Sequence, residues 1–355
     1  MPEKVLIAMS GGVDSSVAAL LLKEQGYECM GVTMKLFDNE EIGVSREKTC
    51  CSLDDVEDAR SVARHLEIPF YVFNFRDAFE TQVIRRFVEA YEKGRTPNPC
   101  IECNRYLKFD ALFERGRVLG YDKIATGHYA RIEKSGGRYL LKKAKDESKD
   151  QTYMLYKLTQ EHLSHALFPL GDYVKDETRQ IAEQHGMINA RKRDSQDICF
   201  VPDGAYASFI EKYTGKTYPA GDFVNTEGKV LGKHRGVIRY TIGQRKGLGL
   251  ALPEPMYVKK LDLENNQVIL CRDEELYTDT VTVEDINLIP YDQLPGQVRC
   301  EAKIRYSPKA SAAVAEQVGK DRIILHFDTP QRAVTPGQAA VLYDGDLVLG
   351  GGTIV

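Results

Sequence analysis

The sequence predicts an α/β protein in which an N-terminal doubly wound parallel sheet is followed by a C-terminal β-barrel. Two observations lead to this fold class. In the first half of the chain, short apolar runs alternate with segments whose apolar residues recur at helical spacing, as in parallel strands joined by helices. After about residue 200 glycine becomes frequent, and short alternating runs are then separated by turn residues, as in a barrel.

The elements of the first half follow from their apolar pattern. Lys4–Met9 contains a continuous apolar run, which is typical of a strand covered on both faces. Ser15–Gln25 carries apolar residues at helical spacing, and Gly26 ends it. By the same criteria we predict strands at Cys29–Met34, Phe70–Phe75 and Lys123–Thr126, and helices at Leu53–His65, Phe79–Lys93 and Tyr106–Leu119.

The elements of the second half are marked by turn residues. Lys216–Leu250 is rich in glycine and is predicted to be mostly loop. Asn265-Asn266 and Asp344-Gly345 stand where hairpin turns are expected. The predicted strands are Tyr257–Leu261, Val268–Leu270, Val281–Ile289, Gln297–Arg305, Arg322–Phe327 and Ala339–Val348.

Composition excludes several classes of protein. The 355 residues predict two or three domains at about 150 residues each. Lys and Arg (48) nearly balance Asp and Glu (52), which excludes binding of nucleic acid through overall charge, so an RNA partner would need local basic patches. No apolar run reaches about 18 residues, which excludes a membrane-spanning helix. The apolar stretch at the N-terminus is too short for a signal peptide, and we expect a cytoplasmic protein.

Residues 8–16, AMSGGVDSS, form the strongest motif, because they follow a predicted strand and open a predicted helix. Two glycines allow a tight turn and close approach of a ligand, and the N–H groups at the start of the helix attract an anion. The motif is neither a Walker A loop nor a GxGxxG fingerprint. Asp14 would repel a phosphate unless it serves Mg²⁺ or caps the helix. The alternative is an ordinary glycine turn with a Ser or Asp cap, and we favour the phosphate loop.

Three of the eight cysteines occur in motifs that suggest chemistry. Cys100 and Cys103 lie in TPNPCIECN, a proline-broken loop before a helix expected near Arg105, where helix-end N–H groups should lower the pKa of a thiol. A structural zinc site would need a second closely spaced pair, which the sequence lacks. Cys199 stands between two apolar residues, which favours a buried inert thiol, although the charged residues before it leave an exposed one open.

The loop motif resembles the PP-loop of the N-type ATP pyrophosphatases, which use ATP to adenylate an oxygen of the substrate and release pyrophosphate. Together with further motifs it resembles the tRNA-specific 2-thiouridylases, and this resemblance covers essentially the whole sequence. The further motifs are GRTPNPCIECN (94–104), ATGHYAR (125–131), KDQTYMLY (149–156), LFPLGDYVK (167–175), DSQDICF (194–200), TIGQRKGLG (241–249) and RAVTPGQAAVLYDGDLVLGGG (332–352).

The resemblance implies a catalytic N-type ATP pyrophosphatase domain (1–205), a small central tRNA-binding domain (206–268) and a C-terminal β-barrel domain (269–355). It implies transfer of sulfur to the 2-position of the wobble uridine in tRNA. ATP would activate the 2-carbonyl oxygen as an adenylate, because AMP is a good leaving group and the oxygen alone is a poor one. A persulfide would form on Cys199, and Cys103 would either free its sulfur as sulfide or close a disulfide with Cys199.

The resemblance also implies which residues bind the substrates. The ATP site would consist of Ala8, Met9, Ser10, Gly11, Gly12, Val13, Asp14, Ser15, Met34 and Gly127. Positions beside the target base or in contact with tRNA would be Asn98, Pro99, Cys100, His128, Lys149, Asp150, Gln151, Arg305, Tyr306 and Gln338. The expected cofactors are ATP and Mg²⁺. The expected partners are tRNA and a sulfur donor protein, either a persulfide relay or a cysteine desulfurase, and we expect the chain to act as a monomer.

Cys100 departs from the family pattern, in which Asp is common at this position. Cys100, Cys103 and Cys199 would be able to ligate a [4Fe–4S] cluster with one iron open to sulfide, and we keep this as a hypothesis. Three rival functions are weaker. An amide-forming synthetase would need a glutaminase half that the sequence lacks. A tRNA-binding protein without catalytic activity and a thiol oxidoreductase would both leave the phosphate loop unexplained.

Overall fold

The computed structural model describes residues 2–37, 53–192, 198–201, 204–307 and 309–355. The chain divides into two compact units. Unit 1 comprises Met1–Ile84, Pro99–Gly204 and Asp346–Val348, and unit 2 comprises Arg85–Asn98, Ala205–Gly345 and Leu349–Val355. Of the motif DSQDICF, residues 194–197 lie outside the described part of the chain.

Unit 1 is built on a parallel sheet, as predicted. Its five strands are β1 (Lys4–Ala8), β2 (Glu28–Lys35), β3 (Phe70–Asn74), β4 (Lys123–Ala125) and β7 (Ala166–Leu167), in the spatial order β3-β2-β1-β4-β7. β7 has only two residues, too few for an apolar pattern to reveal. From β1 the chain first adds β2 and β3 on one side and later adds β4 and β7 on the other. The loop after β1 therefore lies at the switch point where open α/β sheets bind ligands.

The four predicted helices are confirmed, with changed boundaries, and two further helices of unit 1, α7 and α8, were not predicted. The helices of unit 1 are α1 (Val13–Glu24), α2 (Leu53–His65), α3 (Arg76–Phe79) continued by a π-helical segment (Glu80–Ile84), α5 (Pro99–Glu102) continued by a π-helical segment (Cys103–Ala111), α6 (Leu112–Val118), α7 (Gln160–His165) and α8 (Lys175–Gln184). Helices α4 (Arg85–Glu92) and α9 (Tyr206–Thr214) belong to unit 2. None of the described helices is long and apolar enough to cross a membrane.

The helical run after the TPN sequence begins earlier than predicted. It starts at Pro99 rather than near Tyr106. Our prediction treated the proline as a helix breaker, but proline is favoured in the first helical turn, where its missing N–H would have no partner in any case. Cys100 and Cys103 therefore lie in the first two turns of the helix and not in a loop before it.

Strand β1 and helix α1 share one hydrophobic core. Val5 and Ile7 of β1 are fully buried, and Val17 and Ala18 of α1 are fully buried in the same cluster. Burying a side chain such as Val or Ile contributes about 1.5–3 kcal/mol, so both elements are firmly held. This packing fixes the end of β1, the start of α1 and thus the loop between them.

A β-hairpin that we did not predict follows the ATGHYAR motif. β5 (Arg131–Ser135) pairs antiparallel with β6 (Arg138–Lys142). Gly136 and Gly137 between them both have positive φ, 57° and 80°, as a two-residue hairpin turn of type I′ requires. The mostly polar sequence of β5, RIEKS, gave no apolar alternation by which to recognise the strand.

The first part of unit 2 contains its own four-stranded sheet. Its strands are β8 (Gly221–Asn225), β9 (Val230–His234), β10 (Tyr257–Asp262) and β11 (Gln267–Cys271), in the order β10-β11-β8-β9. Residues 216–250 are rich in loops, as predicted, but they also contain β8 and β9, which we did not predict. Phe223 on β8 is fully buried and packs edge-on against the rings of His234 and Tyr240. The runs predicted near 257 and 268 belong to this sheet and not to the barrel.

The later strands of unit 2 form a closed antiparallel β-barrel, as predicted. They are β12 (Tyr277–Leu288), β13 (Gln297–Lys303), β14 (Ser311–Gln317), β15 (Arg322–Arg332), β16 (Ala339–Asp344) and β17 (Leu347–Ile354). Their order is β12-β15-β14-β13-β16-β17, and pairing of β17 with β12 closes the barrel. We missed β14, because its alanine-rich sequence SAAVAEQ has a low strand propensity. β16 and β17 are separated at the turn expected at Asp344-Gly345.

Candidate active site

The loop after β1 depends on a close approach of two backbones. Gly11 has a φ of +77°, a conformation that favours glycine. A Cβ atom on Gly11 would lie 2.3 Å from the carbonyl oxygen of Asp55, at the start of α2. Any larger residue would therefore push the loop away from α2, which explains the first glycine of the motif.

Hydroxyl groups tie the loop to the start of α1. The Ser15 hydroxyl donates to the Gly12 carbonyl over 3.0 Å and accepts a hydrogen bond from the Ser10 N–H over 3.2 Å. Ser16 also donates to the Gly12 carbonyl, over 3.1 Å. Gly12 is the N-cap residue, and no side chain caps the helix, so the alternative of a turn capped by Ser or Asp is wrong. The N–H groups of the first turn of a helix have no carbonyl partners within it, and those of α1 form the positive end of its dipole.

Asp14 is held by two residues that the sequence did not indicate. The Lys175 Nζ lies 2.7 and 2.8 Å from the two carboxylate oxygens, and the Tyr129 hydroxyl donates to the same carboxylate over 2.9 Å. The Lys175 side chain is only 9% exposed. Of the two roles considered for Asp14, capping of the helix is wrong, because Gly12 is the N-cap and no side chain caps α1. The Asp14 charge is balanced by Lys175. Both partners lie in motifs that carried the resemblance, which was the only available signal.

Gly127 is needed for a second close approach to the loop. A Cβ atom on it would lie 2.7 Å from both the carbonyl carbon of Asp14 and the nitrogen of Ser15. The structure thus places Gly127 directly against the loop. Met34, the other predicted ATP residue outside the loop, is partly buried near the end of β2, and its neighbour Thr33 donates to the Met9 carbonyl over 2.7 Å.

Asn189 connects the loop to the segment that precedes Cys199. Its Nδ2 donates to the Gly11 carbonyl and to the Ser16 hydroxyl, each over 2.9 Å, and the residue is 3% exposed. Sequence reasoning missed Asn189, since nothing in an isolated asparagine indicates a partner 178 residues away.

Lys192 fixes the same segment to α2. Its Nζ lies 2.6 Å from carboxylate oxygens of both Asp55 and Asp58. Burial lowers the pKa of Lys192, but the bonds to the two carboxylates outweigh this and raise it. Lys192, the last described residue before the segment that leads to Cys199, is therefore anchored to α2.

Exposure separates the cysteines into two classes. Cys100 is exposed, and Cys103 and Cys199 are partly exposed. Burial of the other described thiols raises the pKa of each to about 11, at Cys29, Cys271 and Cys300. Because a thiolate is the reactive form, these buried thiols are inert. Among the six cysteines that the structure describes, the accessible ones are the three that the motifs selected. The expectation of a buried Cys199, drawn from its apolar neighbours, was wrong.

Cys103 begins the π-helical segment that follows α5. Such segments are uncommon and frequent at functional sites. The next residue, Asn104, is 2% exposed, and its Nδ2 donates to the Met154 carbonyl over 3.0 Å. Its Oδ1 accepts from Lys108 over 2.9 Å. These bonds fix the helix to the KDQTYMLY motif beside Cys103.

The three cysteines do not fit an iron–sulfur cluster in this structure. Among the described residues, no three His, Cys, Asp or Glu side chains lie together as a metal site requires. The [4Fe–4S] hypothesis therefore has no support from the geometry, and we derive no step from it.

His128 is a neutral group. Its Nδ1 lies 2.7 Å from the Thr126 hydroxyl, and its ring packs near Phe109 and Phe168. Burial lowers the pKa of His128 well below its usual range, and Lys108 lowers it further. At neutral pH it offers hydrogen bonding and shape, but no positive charge for a phosphate.

Two predicted tRNA residues in the KDQTYMLY motif have internal partners. The Asp150 carboxylate accepts from the Ala144 N–H over 3.0 Å and from the Thr152 hydroxyl over 2.6 Å. The Gln151 Oε1 accepts from the Tyr129 N–H over 2.9 Å. These side chains order the backbone around Tyr129, which in turn contacts Asp14.

Two of the predicted tRNA residues of unit 2, Arg305 and Gln338, form hydrogen bonds at or from the turn between β15 and β16. Arg305 donates to the Thr335 hydroxyl over 2.8 Å and also bonds the Ala333 carbonyl. The Gln338 Nε2 donates to the Thr96 carbonyl over 2.7 Å. Tyr306 is 41% exposed, and the Lys303 Nζ lies 5.6 Å from the centre of its ring.

The protonation of His128 should make the protein less stable in acid. The folded state lowers the pKa of His128 below the unfolded value of about 6.5, so the unfolded chain takes up the proton first and stability falls as the pH drops below 6.5. Between pH 7.5 and 5.5, the unfolded chain alone takes up this proton, which lowers the free energy of unfolding by at most about 1.4 kcal/mol. Urea unfolding at both pH values should show a smaller loss for His128→Gln than for the wild type. An equal loss in both would contradict the prediction.

Asn189→Ala should weaken both the fold and nucleotide binding. The substitution leaves the Gly11 carbonyl and the Ser16 hydroxyl without a buried donor, so we expect the free energy of unfolding to fall by about 1–3 kcal/mol. Urea unfolding and ATP titration calorimetry would measure the two effects. The control is Asn265→Ala, at an exposed turn asparagine, which should change stability by less than about 0.5 kcal/mol. Wild-type stability and ATP affinity of Asn189→Ala would show that these bonds do not support the loop.

Comparison with known proteins covers the whole chain. A family model described as tRNA methyl transferase HUP domain matches residues 3–203, one described as tRNA methyl transferase PRC-barrel domain matches 207–272, and one described as aminomethyltransferase beta-barrel domain matches 278–354. Among solved structures, a 4-thiouridine synthetase in complex with RNA and bound ATP is 18% identical, with a TM-score of 0.38, covering 59% of this chain and 50% of that one.

Full-length relatives are much more similar. The tRNA-specific 2-thiouridylase MnmA of Clostridioides difficile is 53% identical over 356 residues, covering 100% of this chain and 98% of the relative. The protein of the same name from Acetivibrio thermocellus is 53% identical and covers 99% of both chains. Identity at this level over the full length, together with the phosphate loop and the accessible cysteines, leads to one conclusion: the chain belongs to the family of tRNA-specific 2-thiouridylases.

Proposed function

We propose that this protein uses ATP to transfer sulfur to the 2-position of the wobble uridine of tRNA, producing 2-thiouridine, AMP and pyrophosphate. One observation carries the proposal beyond family membership: the accessible thiols of Cys103 and Cys199 lie in the same unit as the ordered phosphate loop. A nucleotide-activating loop and a pair of reactive thiols are the two components that thiolation of a carbonyl requires.

The first step is activation of the base. The uracil 2-carbonyl oxygen attacks the α-phosphorus of ATP, and pyrophosphate leaves. The loop at 10–15 would bind the phosphates through the N–H groups at the start of α1, and Mg²⁺ would enter as part of the MgATP substrate. Gly127 would lie beside the nucleoside. Its contact with the peptide between Asp14 and Ser15, where a side chain would not fit, supports this position. Lys175 supplies the positive charge nearest to Asp14, so it limits repulsion between that carboxylate and the phosphates.

The second step is sulfur transfer. The terminal sulfur of a Cys199 persulfide attacks C2 of the adenylated base, and AMP leaves with the bonding electrons. The Cys103 thiolate then attacks the inner sulfur of Cys199, which forms a Cys103–Cys199 disulfide and releases the 2-thiouridine. In the other order, Cys103 first frees hydrosulfide from the persulfide, and hydrosulfide attacks C2. Both orders leave Cys103 and Cys199 joined in a disulfide. An external thiol must therefore reduce this disulfide before the next turnover.

The remaining roles concern substrate binding. We propose that Asn98, Pro99 and Cys100 lie beside the target base, and that exposure of Cys100 at the start of α5 suits this role. Tyr306 would stack on a base, and Lys149 would contact a phosphate. His128, Asp150 and Gln151 would shape the tRNA site through their neighbours, since their side chains bond within unit 1.

The proposal includes an organisation and a cellular setting. We propose domains at 1–205, 206–268 and 269–355. The family matches support this division to within about ten residues, although β11 runs to Cys271 and so crosses the second boundary. A monomer in the cytoplasm that receives sulfur from a relay protein or a cysteine desulfurase accords with this activity.

Thiol substitutions test the proposal directly. The protein is incubated with MgATP, unmodified tRNA and a persulfide donor, and the digested tRNA is analysed for 2-thiouridine. Cys199→Ser should abolish the product because no persulfide can form, and Cys103→Ser should abolish it because the sulfur cannot be released. Cys300→Ala, which alters a buried thiol in unit 2, should leave the product formed. Full turnover by either serine variant would refute the role assigned to that cysteine.

A further inference from the structure

We propose that Gln338 is a positioning residue that holds the Thr96–Asn98 segment for the reaction, rather than a residue that contributes tRNA affinity. The inference rests on the proposed function and deepens it. It comes from a contact that joins positions 242 residues apart within unit 2.

The peptide groups of Thr96 are held on both sides. The Thr96 N–H donates to the Pro336 carbonyl over 2.8 Å. The Thr96 carbonyl accepts from the Gln338 Nε2 over 2.7 Å. The turn at Pro336–Gln338 therefore holds both polar backbone groups of one residue, much as a neighbouring strand would.

The turn is shaped for this contact. Gly337 has a φ of +90°, and a Cβ atom on it would lie 2.9 Å from the Arg95 Cβ and from the Thr96 nitrogen. The turn is also fixed to the end of β17, since the Gly337 N–H donates to the Ile354 carbonyl over 2.9 Å and the Ile354 N–H donates to the Gln338 carbonyl over 2.8 Å. The holding residues are thus part of the barrel framework and not of a loose loop.

Arg305 braces the turn from its other end. It bonds the Ala333 carbonyl and the Thr335 hydroxyl, and Thr335 is 3% exposed and donates to the same carbonyl over 2.9 Å. The family resemblance places both Arg305 and Gln338 in contact with tRNA. In this structure the Arg305 side chain bonds the turn, and the Gln338 side chain reaches from the same turn to Thr96.

The hydrogen bond from Gln338 matters for the reaction because of where Thr96 lies in the sequence. Thr96 lies two residues before Asn98 and four before Cys100, the positions proposed to lie beside the target base. Reaction rates depend steeply on placement, and an error of about 1 Å can cost about 100-fold. Losing the Gln338 amide should therefore slow the chemical step while leaving the charged and stacking contacts to tRNA in place.

The test separates positioning from binding by three measurements on the full-length protein. For Gln338→Ala we expect the single-turnover rate of 2-thiouridine formation at saturating tRNA to fall by about 10- to 100-fold. We expect the dissociation constant for unmodified tRNA to stay within about 2-fold of the wild type. Hydrogen exchange of the peptide that contains the Thr96 N–H should become faster by about 10-fold, because Thr96 loses one of its two hydrogen bonds to the turn and its segment opens more readily.

Control variants isolate the effect. Gln297→Ala removes a glutamine from an exposed position on β13 and should change none of the three quantities. If Gln338→Ala lowers the melting temperature, Gln338→Met carries the same test, since it keeps the length of the side chain but cannot donate.

Two results would overturn the proposal. One is an affinity for tRNA weakened by about 10-fold with an unchanged single-turnover rate, which would make Gln338 a tRNA contact. The other is unchanged hydrogen exchange at Thr96. Failure of the wild type to form 2-thiouridine would instead refute the proposed function, and the exchange measurement would still decide whether Gln338 holds Thr96.

Discussion

The site depends on the ion pair between Asp14 and Lys175. Asp14 lies in the first turn of α1, where N–H groups are presented to an anion, and an uncompensated carboxylate there would oppose phosphate binding. Lys175, at the first residue of α8, balances this charge from a nearly buried position, and Tyr129 donates to the same carboxylate. Removing one partner of a largely buried ion pair destabilises the fold, because the other charge is left unpaired. The bonds of Asp14 to Lys175 and Tyr129 therefore link the stability of the loop to that of α8 and of the ATGHYAR motif.

Around this pair, the backbone is positioned by close contacts that only glycine permits. Gly11 meets the start of α2, and Gly127 meets the peptide between Asp14 and Ser15. Asn189 then bonds the Gly11 carbonyl, and Lys192 bonds the first turns of α2. The segment that leads to Cys199 is thereby attached to the same structure that would bind ATP. Through these contacts the loop and the segment that leads to Cys199 belong to one structure, although they lie far apart in the sequence.

Local signals in the sequence were sufficient for the central elements. The apolar run at β1, the SGG turn and the helical spacing of α1 predicted the loop, because each of these depends on neighbouring residues. Contacts across long sequence separations were not predictable in this way. The partners of Asp14, Gly11 and Thr96 lie more than 100 residues away, and an isolated Lys, Asn or Gln carries no mark of its partner. The start of α5 was missed for a different reason, since Pro99 was treated as a breaker where it begins the helix.

The most direct test of the loop as the nucleotide site is Asp14→Asn. This variant keeps the shape of the side chain and removes the charge that Lys175 balances. The measurement is tRNA-dependent release of pyrophosphate from MgATP, with tRNA affinity determined in parallel. Because the nearly buried Lys175 then loses its counter-charge, the link between the start of α1 and α8 is weakened and the loop is no longer held in place. We therefore expect pyrophosphate release to fall by at least about 10-fold while tRNA affinity stays within about 2-fold of the wild type. Pyrophosphate release at the normal rate would contradict the assignment of this loop as the nucleotide site.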